Sequence, residues 1–275
     1  MATDRLSLSR WRNPAGLLVS VLLLALYARA PHAWALGFVA LVPWLLTLNG
    51  VRTLRGSVVS GAVISVAFMA AVFSWFGVAI GAYTGMGAGA ATAVLLLLAP
   101  LLQLQFTVFA LVRHLVGRRH GPVLRALAAA SAWVACEWLV PKLLGDTLGH
   151  GLFPSATLRQ AADLGGAAGL TFLLLLVNEA VAVAVERRAA GPRALLRPLT
   201  LGLAIVLGMA WYGMARLAVL RAPSGDPPPA LRIAMVQANI TDYERLRREQ
   251  GTYAVVRHVL DTHYALSVSA VRDHG

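Results

Sequence analysis

The chain has 275 residues, of which 58% are hydrophobic and 13% charged, and its mean hydropathy is +0.69. A soluble domain carries about 25% charged residues, so this composition excludes a water-soluble globular domain and predicts a polytopic membrane protein. The net charge of +12 comes almost entirely from arginine in short segments between apolar runs, a pattern that predicts topology signals and contacts with anionic lipid, and not nucleic-acid binding.

Seven apolar segments follow one another along the chain, each close to the ~20 residues that cross a membrane. We predict spans at about residues 14–30, 32–48, 57–80, 88–112, 123–140, 166–185 and 195–220. The predicted fold class is therefore mainly α, a polytopic helical membrane bundle of about seven spans. Residues 1–221 would form this transmembrane domain.

The first apolar segment has an alternative interpretation. A basic stretch, an apolar run and the small residues Ala28 and Ala30 together resemble a signal peptide with its cleavage site. Pro31 follows directly, however, and six further spans already direct the chain to the membrane. We therefore predict that the segment is retained as the first half of a helical hairpin.

Two carboxylates, Glu137 and Glu179, lie inside predicted spans. A carboxylate in hydrocarbon costs about 3 kcal/mol unless it is paired or faces a cavity. Trp133 lies one helical turn before Glu137, and we predict that the two line the floor of a lipid-facing site; the alternative for Glu137 is an interfacial position or a hydrogen bond between helices. Asn178 and Glu179 are expected to extend toward the membrane surface.

The loop at residues 141–166 contains no clear span, although it is long for a connection between helices. Loops of this length are often lids or re-entrant segments, so the loop is a candidate binding region. Its candidate contacts with a phospholipid head group or a lipoprotein N-terminus are His150, Phe153, Arg159, Gln160 and Asp163. As an alternative, Arg159 and Asp163 are four residues apart and could form a surface ion pair.

Neither the cysteine nor the histidines predict a catalytic or metal site. Cys136, the one cysteine, lies in the middle of a predicted span, where apolar surroundings keep a thiol protonated and inert. The histidines do not have the paired spacing of metal ligands. We therefore predict no metal and no cofactor.

Basic residues alternate strongly between successive loops. Thirteen lie at the N-terminus and in the loops after the second, fourth and sixth predicted spans. Three, namely Arg29, Lys142 and Arg159, lie in the other loops. The positive-inside rule then predicts a cytoplasmic N-terminus and places the residues after the seventh span on the opposite side of the membrane.

The end of the chain changes in character. Residues 222–230, "APSGDPPPA", predict a stiff proline-rich linker, and residues 231–240, "LRIAMVQANI", predict a buried β-strand. Apolar residues at spacings of three and four then predict an amphipathic helix to about Val268. One strand and one helix cannot bury a core, so we expect residues 231–275 to begin a larger α/β domain that is incomplete here.

The order of these features resembles the bacterial apolipoprotein N-acyltransferases. The resemblance covers nearly the whole chain and is carried by the segments "PHAWALGFVALVPWLLTLNG", "WVACEWL", "LGHGLFPSATLRQAADLGGAAGLTFLLLLVNEAV" and "RIAMVQANI". It implies an inner-membrane enzyme with a nitrilase-like periplasmic domain, which moves an acyl chain from a phospholipid to the N-terminal diacylglyceryl-cysteine of a lipoprotein. The Glu-Lys-Cys triad of that family is absent from this chain, so we expect the chain alone to be inactive.

The resemblance also implies partners and contacts. The partners would be a phospholipid acyl donor, a lipoprotein acceptor and membrane lipids, with no nucleic acid, and we expect a monomer. The lipid or substrate contacts would be Trp133, Glu137, His150, Phe153, Arg159, Gln160 and Asp163. Three alternatives remain open: a membrane-anchored nitrilase or amidase of other specificity, a seven-helix transporter, and a non-catalytic membrane scaffold.

Overall fold

The computed structural model describes residues 3–142, 145–222, 233–240 and 242–274. These residues form helices and loops, with no β-strand among them. The α-helices are α1 (Thr3–Arg29), α2 (Val42–Leu48), α3 (Leu54–Val72), α4 (Ser74–Thr84), α5 (Ala88–Leu102), α6 (Leu104–Gly117), α7 (Pro122–Leu139), α8 (Ala162–Arg187), α9 (Pro192–Arg221), α10 (Tyr243–Gln250) and α11 (Thr252–His274). The main 3₁₀ segments are Pro31–Phe38, Leu148–Leu152 and Leu158–Ala161.

Five helical segments of the described chain are long and apolar enough to cross a membrane: Pro31–Leu48, Leu54–Val72, Ala88–Gly117, Leu158–Ala190 and Pro192–Arg221. They confirm the polytopic helical bundle. The predicted count of about seven also included two segments that are less clearly spans. The apolar part of α1 is shorter than a usual span, and α7 has 18 residues with two charges among them.

The chain divides into two compact units, Met1–Phe73 with Leu96–Ala222, and Ser74–Leu95 with Pro223–Gly275. Aromatic side chains form the centre of the first unit. Trp44, Phe106, Phe109 and Trp133 are each no more than 1% exposed. Their ring centroids lie 4.7–5.8 Å apart in mostly edge-on pairs, so α2, α6 and α7 are joined by aromatic packing.

Asn178 joins α8 to the segment before α2. It is fully buried, and its Nδ2 donates to the carbonyl oxygens of Gly37 and Leu174, each at 2.8 Å. Its Oδ1 accepts from the backbone N–H of Leu41 at 2.9 Å. Leu41 precedes the first residue of α2, and N–H groups at the start of a helix have no partner within the helix. The expectation that Asn178 and Glu179 extend toward the membrane surface is therefore wrong, because both are buried and paired inside the bundle.

The loop between α7 and α8 folds against the bundle. Leu152, Leu158 and Ala161 are buried in a second apolar cluster together with Tyr27 and Met209. The hydroxyl of Tyr27 also donates to the carbonyl oxygen of Leu148 at 2.7 Å. The described part of this loop is consequently a packed element with a defined conformation.

In the second unit, the predicted strand is wrong for residues 233–240, which have irregular backbone. A strand needs a neighbouring strand for its backbone hydrogen bonds, and the described residues provide none. Leu231, Arg232 and residues 223–230 of the predicted linker lie outside the described residues.

The predicted amphipathic helix forms as two helices, α10 and α11. They are separated at Gly251, whose φ of +84° is a conformation that glycine adopts without strain. Large apolar side chains of this unit remain exposed, among them Met235 at 96% and Tyr253 at 80%. The unit therefore has an apolar surface that its described residues do not cover.

Candidate functional site

Glu137 lies in the last turn of α7 and is the centre of a buried polar network. Its side chain is 6% exposed. Lys142 Nζ lies 2.9 Å from one carboxylate oxygen, and the hydroxyl of Thr147 donates to the other at 2.8 Å. Lys142 also donates to the backbone carbonyl of Asp146 and lies 3.8 Å from its carboxylate. The carboxylate is therefore paired with a cation, and both of its oxygens have hydrogen-bond partners within the protein.

The same network fixes the loop to α8. The hydroxyls of Thr147 and Thr171 share a hydrogen bond of 2.5 Å, and Thr171 Oγ1 accepts from the backbone N–H of Gly149 at 2.8 Å. Thr147 caps the segment Leu148–Leu152, with its own N–H donating to His150 Nδ1 at 3.3 Å. Glu137, Lys142, Asp146, Thr147 and Thr171 are named here the Glu137 cluster.

Trp133, one turn before Glu137, faces the core. Its ring packs edge-on against Phe106 and Phe109, with centroid distances of 4.7 and 5.7 Å. At 1% exposure it cannot form an open floor for lipid, as the sequence had suggested, and instead holds α7 against α6. Its indole Nε1 has no hydrogen-bond partner among the described residues.

The other predicted contacts separate into smaller groups. The guanidinium of Arg159 lies 4.9 Å from the ring centroid of Phe153 and donates to its carbonyl oxygen at 2.9 Å, and the Phe153 side chain is 70% exposed. The alternative ion pair between Arg159 and Asp163 does not form, because Asp163 accepts from Arg216 of α9 at 2.7 Å. The amide of Gln160 donates to a carbonyl oxygen within the same loop at 2.9 Å.

The structure therefore joins some predicted residues and separates others. Glu137 and His150 are connected through Thr147, and Phe153 and Arg159 contact each other, whereas Asp163 belongs to an exposed pair with α9. Lys142, the partner of Glu137, was not predicted from the sequence. Its signal was present, since the chain's one lysine lies five residues after that carboxylate.

An apolar groove of about 460 Å³ lies between α7 and α8. It is lined by Ser131, Val134, Ala135, Trp138, Gly165, Ala168, Gly169 and Phe172. Trp138 and Phe172 directly follow Glu137 and Thr171, and consecutive helical residues point about 100° apart. The groove and the Glu137 cluster thus use neighbouring faces of the same two helices.

Comparison with known proteins identifies the family. The family model for the apolipoprotein N-acyltransferase N-terminal domain matches residues 20–180, more than half of the 275 residues. This chain belongs to the apolipoprotein N-acyltransferase family. The match contains the whole Glu137 cluster and the whole apolar groove, and it confirms the resemblance found in the sequence.

Two apolipoprotein N-acyltransferases illustrate the similarity. The chain is 30% identical to the protein of Geobacter metallireducens over 229 residues, which are 81% of this chain and 42% of that protein. It is 28% identical to the protein of Rhizobium etli over 158 residues, which are 55% of this chain and 28% of that protein. The chain spans less than half the length of these curated relatives.

Proposed function

We propose that this chain is the membrane-embedded N-terminal part of an enzyme that transfers an acyl chain from a phospholipid to the N-terminal diacylglyceryl-cysteine of a lipoprotein. The proposal is carried by the family match over residues 20–180, which includes the helices that build the Glu137 cluster and the apolar groove. A helical bundle that keeps an acyl chain in the hydrocarbon layer while the head group reaches a polar surface suits such a substrate.

Within this function, Glu137 is a positioning residue. Its carboxylate is buried and already paired with Lys142 and Thr147, so it has no free oxygen for a substrate. Its role is to hold the loop in the conformation that presents Phe153 and Arg159. We propose that Arg159 and the exposed His150 contact the phosphate of the donor lipid, and that the acyl chain lies in the groove between α7 and α8.

We propose that the nucleophile and its partners lie outside these 275 residues, in a nitrilase-like domain that begins at residues 231–275. The greater length of the curated relatives supports this, as do the exposed apolar side chains of α11, such as Tyr253 and Tyr264, which a larger domain would cover. Cys136 is buried in α7 and is not proposed as the nucleophile.

We propose a cytoplasmic N-terminus and a periplasmic α10–α11. Arginines from the loops after α2 and α6, together with Glu186 near the end of α8, line one cavity, so these loops lie at one end of the bundle, as the positive-inside rule requires. Alkaline phosphatase fused after Arg221 should therefore be active, and green fluorescent protein fused at the same position should not fluoresce. Fusions after Arg118 serve as the matched control and should give the opposite pair of signals; the same pair at both positions contradicts the topology.

The activity is tested in a bacterium depleted of its own apolipoprotein N-acyltransferase. The full-length protein should restore the third acyl chain on a lipoprotein N-terminus, detected as a mass increase of the N-terminal peptide, whereas residues 1–275 alone should not. If the full-length protein is inserted in the membrane and the N-terminal peptide still carries only two acyl chains, the proposed reaction is wrong. Release of ammonia from small amides by that protein would favour the amidase alternative.

A further inference from the structure

A second buried ion cluster lies near the opposite end of α7, about 18 Å along the helix from Glu137. Glu179 of α8 is 1% exposed and accepts from two arginines. Arg113 of α6 donates to both of its oxygens, and Arg125 of α7 donates to one of them at 3.2 Å. One carboxylate thus faces two guanidinium groups, which leaves one positive charge in excess.

A cavity of about 320 Å³ adjoins this cluster and is named here the basic cavity. Its polar wall includes Asn49, Arg52, Arg113, Arg118, Arg125 and Glu186. With Glu179 behind the wall, four arginines face two glutamates, a net charge of +2 with histidine neutral. Arg52 and Arg118 form no ion pair with any residue that the structure describes.

Two hydrogen-bonding atoms at the cavity also lack partners. Arg125 Nε and His114 Nε2 are buried, and neither has a hydrogen-bond partner in the described part of the chain, although both side chains line the cavity. A buried polar atom without a partner is unfavourable, and most buried polar atoms in proteins are hydrogen-bonded to protein or to ordered water. The cavity therefore combines excess positive charge with unused hydrogen-bonding capacity.

We propose that the basic cavity binds a phosphate group, and specifically the phosphate of an anionic phospholipid. A phosphate offers several acceptor oxygens at once, and the planar guanidinium binds it through paired N–H donors. The cavity lies among the ends of membrane helices, where lipid head groups are concentrated, and basic pockets of this kind bind anionic head groups. The site differs from the proposed acyl-donor site, which lies near the other end of α7.

The proposal is tested by thermal unfolding of the purified chain in uncharged detergent, without any acyl-transfer substrate. Dihexanoyl phosphatidylglycerol should raise the unfolding midpoint in a saturable manner, and dihexanoyl phosphatidylcholine should not. The double variant Arg52→Gln/Arg118→Gln should need at least about tenfold more phosphatidylglycerol for the same rise, because two charge-assisted contacts are lost. These two side chains are exposed and form no ion pair in the described residues, so the variant should still fold.

The matched control is Arg55→Gln/Arg119→Gln, which removes the same charge from two exposed residues outside the cavity wall, one in the first turn of α3 and one in the loop after α6. It should respond to phosphatidylglycerol like the unaltered chain. Equal weakening in both double variants, or no stabilisation of the unaltered chain, overturns the proposal. Stabilisation by inorganic phosphate alone, lost only in the Arg52/Arg118 variant, supports the phosphate site but overturns the lipid as its source.

Discussion

Replacement of Glu179 by glutamine is expected to destabilise the bundle by about 3–5 kcal/mol, because Arg113 and Arg125 would then lie buried without a counter-charge. The unfolding midpoint in detergent should fall by roughly 10 °C for a chain of this size. The loss should greatly exceed what a single hydrogen bond contributes, about 1 kcal/mol, since the penalty comes from the unpaired guanidinium groups.

The matched control is Glu186→Gln, which removes the same charge from an exposed residue of the same helix and should change stability by less than about 1 kcal/mol. The double variant Glu179→Gln/Arg113→Gln should be more stable than Glu179→Gln alone, because one of the two unpaired cations is removed. Equal unfolding midpoints for Glu179→Gln and Glu186→Gln would show that the buried ion cluster does not form.

The second large effect is expected for Glu137→Gln. The amide cannot balance the charge of Lys142, which is 10% exposed and keeps only the more distant Asp146 carboxylate at 3.8 Å. The amide nitrogen cannot accept a hydrogen bond, so the loop also loses one of its two contacts with residue 137. We expect the free energy of unfolding to fall by about 3–5 kcal/mol. Amide hydrogen exchange should become faster in residues 145–161, whereas the exchange rates in α3 and α6 should not change. In the full-length protein, lipoprotein acylation should decrease more than the amount of membrane-inserted protein.

A double variant and a control separate positioning by Glu137 from a general loss of stability. Glu137→Gln/Lys142→Met should recover part of the lost stability, because the buried lysine charge is removed and the remaining Asp146 carboxylate is 27% exposed, but it should not recover the loop protection or the acylation. Asp163→Asn breaks an ion pair whose side chains are 42–43% exposed and should cost less than about 1 kcal/mol. If Glu137→Gln leaves exchange in residues 145–161 unchanged, the positioning role is wrong.

Both ion clusters connect the same helices. The Glu137 cluster joins the end of α7 through the loop to α8, and the Glu179 cluster joins α6, α7 and α8 near the opposite end of the bundle. Between them lie the buried aromatic rings around Trp133. The relative position of α7 and α8, which sets the width of the apolar groove, is therefore held by paired charges at both ends and by apolar packing in the middle.

The bundle, its helices and its family could be predicted because they depend on local patterns. Apolar runs near the length of a membrane span, arginines in alternate loops and the "WVACEWL" segment are all readable along the chain. Helix ends were less predictable. The single span predicted over residues 88–112 is divided at Gln103, shortly after Pro100, into α5 and α6. The carbonyl oxygen of Gln103 accepts a hydrogen bond from the hydroxyl of Ser65 in α3, a residue 38 positions away in the sequence.

The site was predictable only in part, for a physical reason. Glu137 could be singled out from the sequence because an ionised group inside a membrane span has a high free-energy cost. That cost shows that the carboxylate needs a partner, but it does not show which residue the partner is. The sequence could not show that Lys142 and Thr147 would be those partners, nor that Asp163 would choose Arg216, 53 positions away, over Arg159. The sequence likewise left Glu179 exposed at the surface, whereas Arg113, 66 positions earlier, pairs with it in the core.

By itself, then, the sequence determined that this protein is a helical membrane bundle of the apolipoprotein N-acyltransferase type, because hydrophobic length and family motifs are properties of contiguous residues. The tertiary structure alone decided which charges are buried and which atoms pair with them. It also decided that residues 233–240 form no strand among the described residues, since a strand depends on a neighbour that the sequence pattern cannot supply.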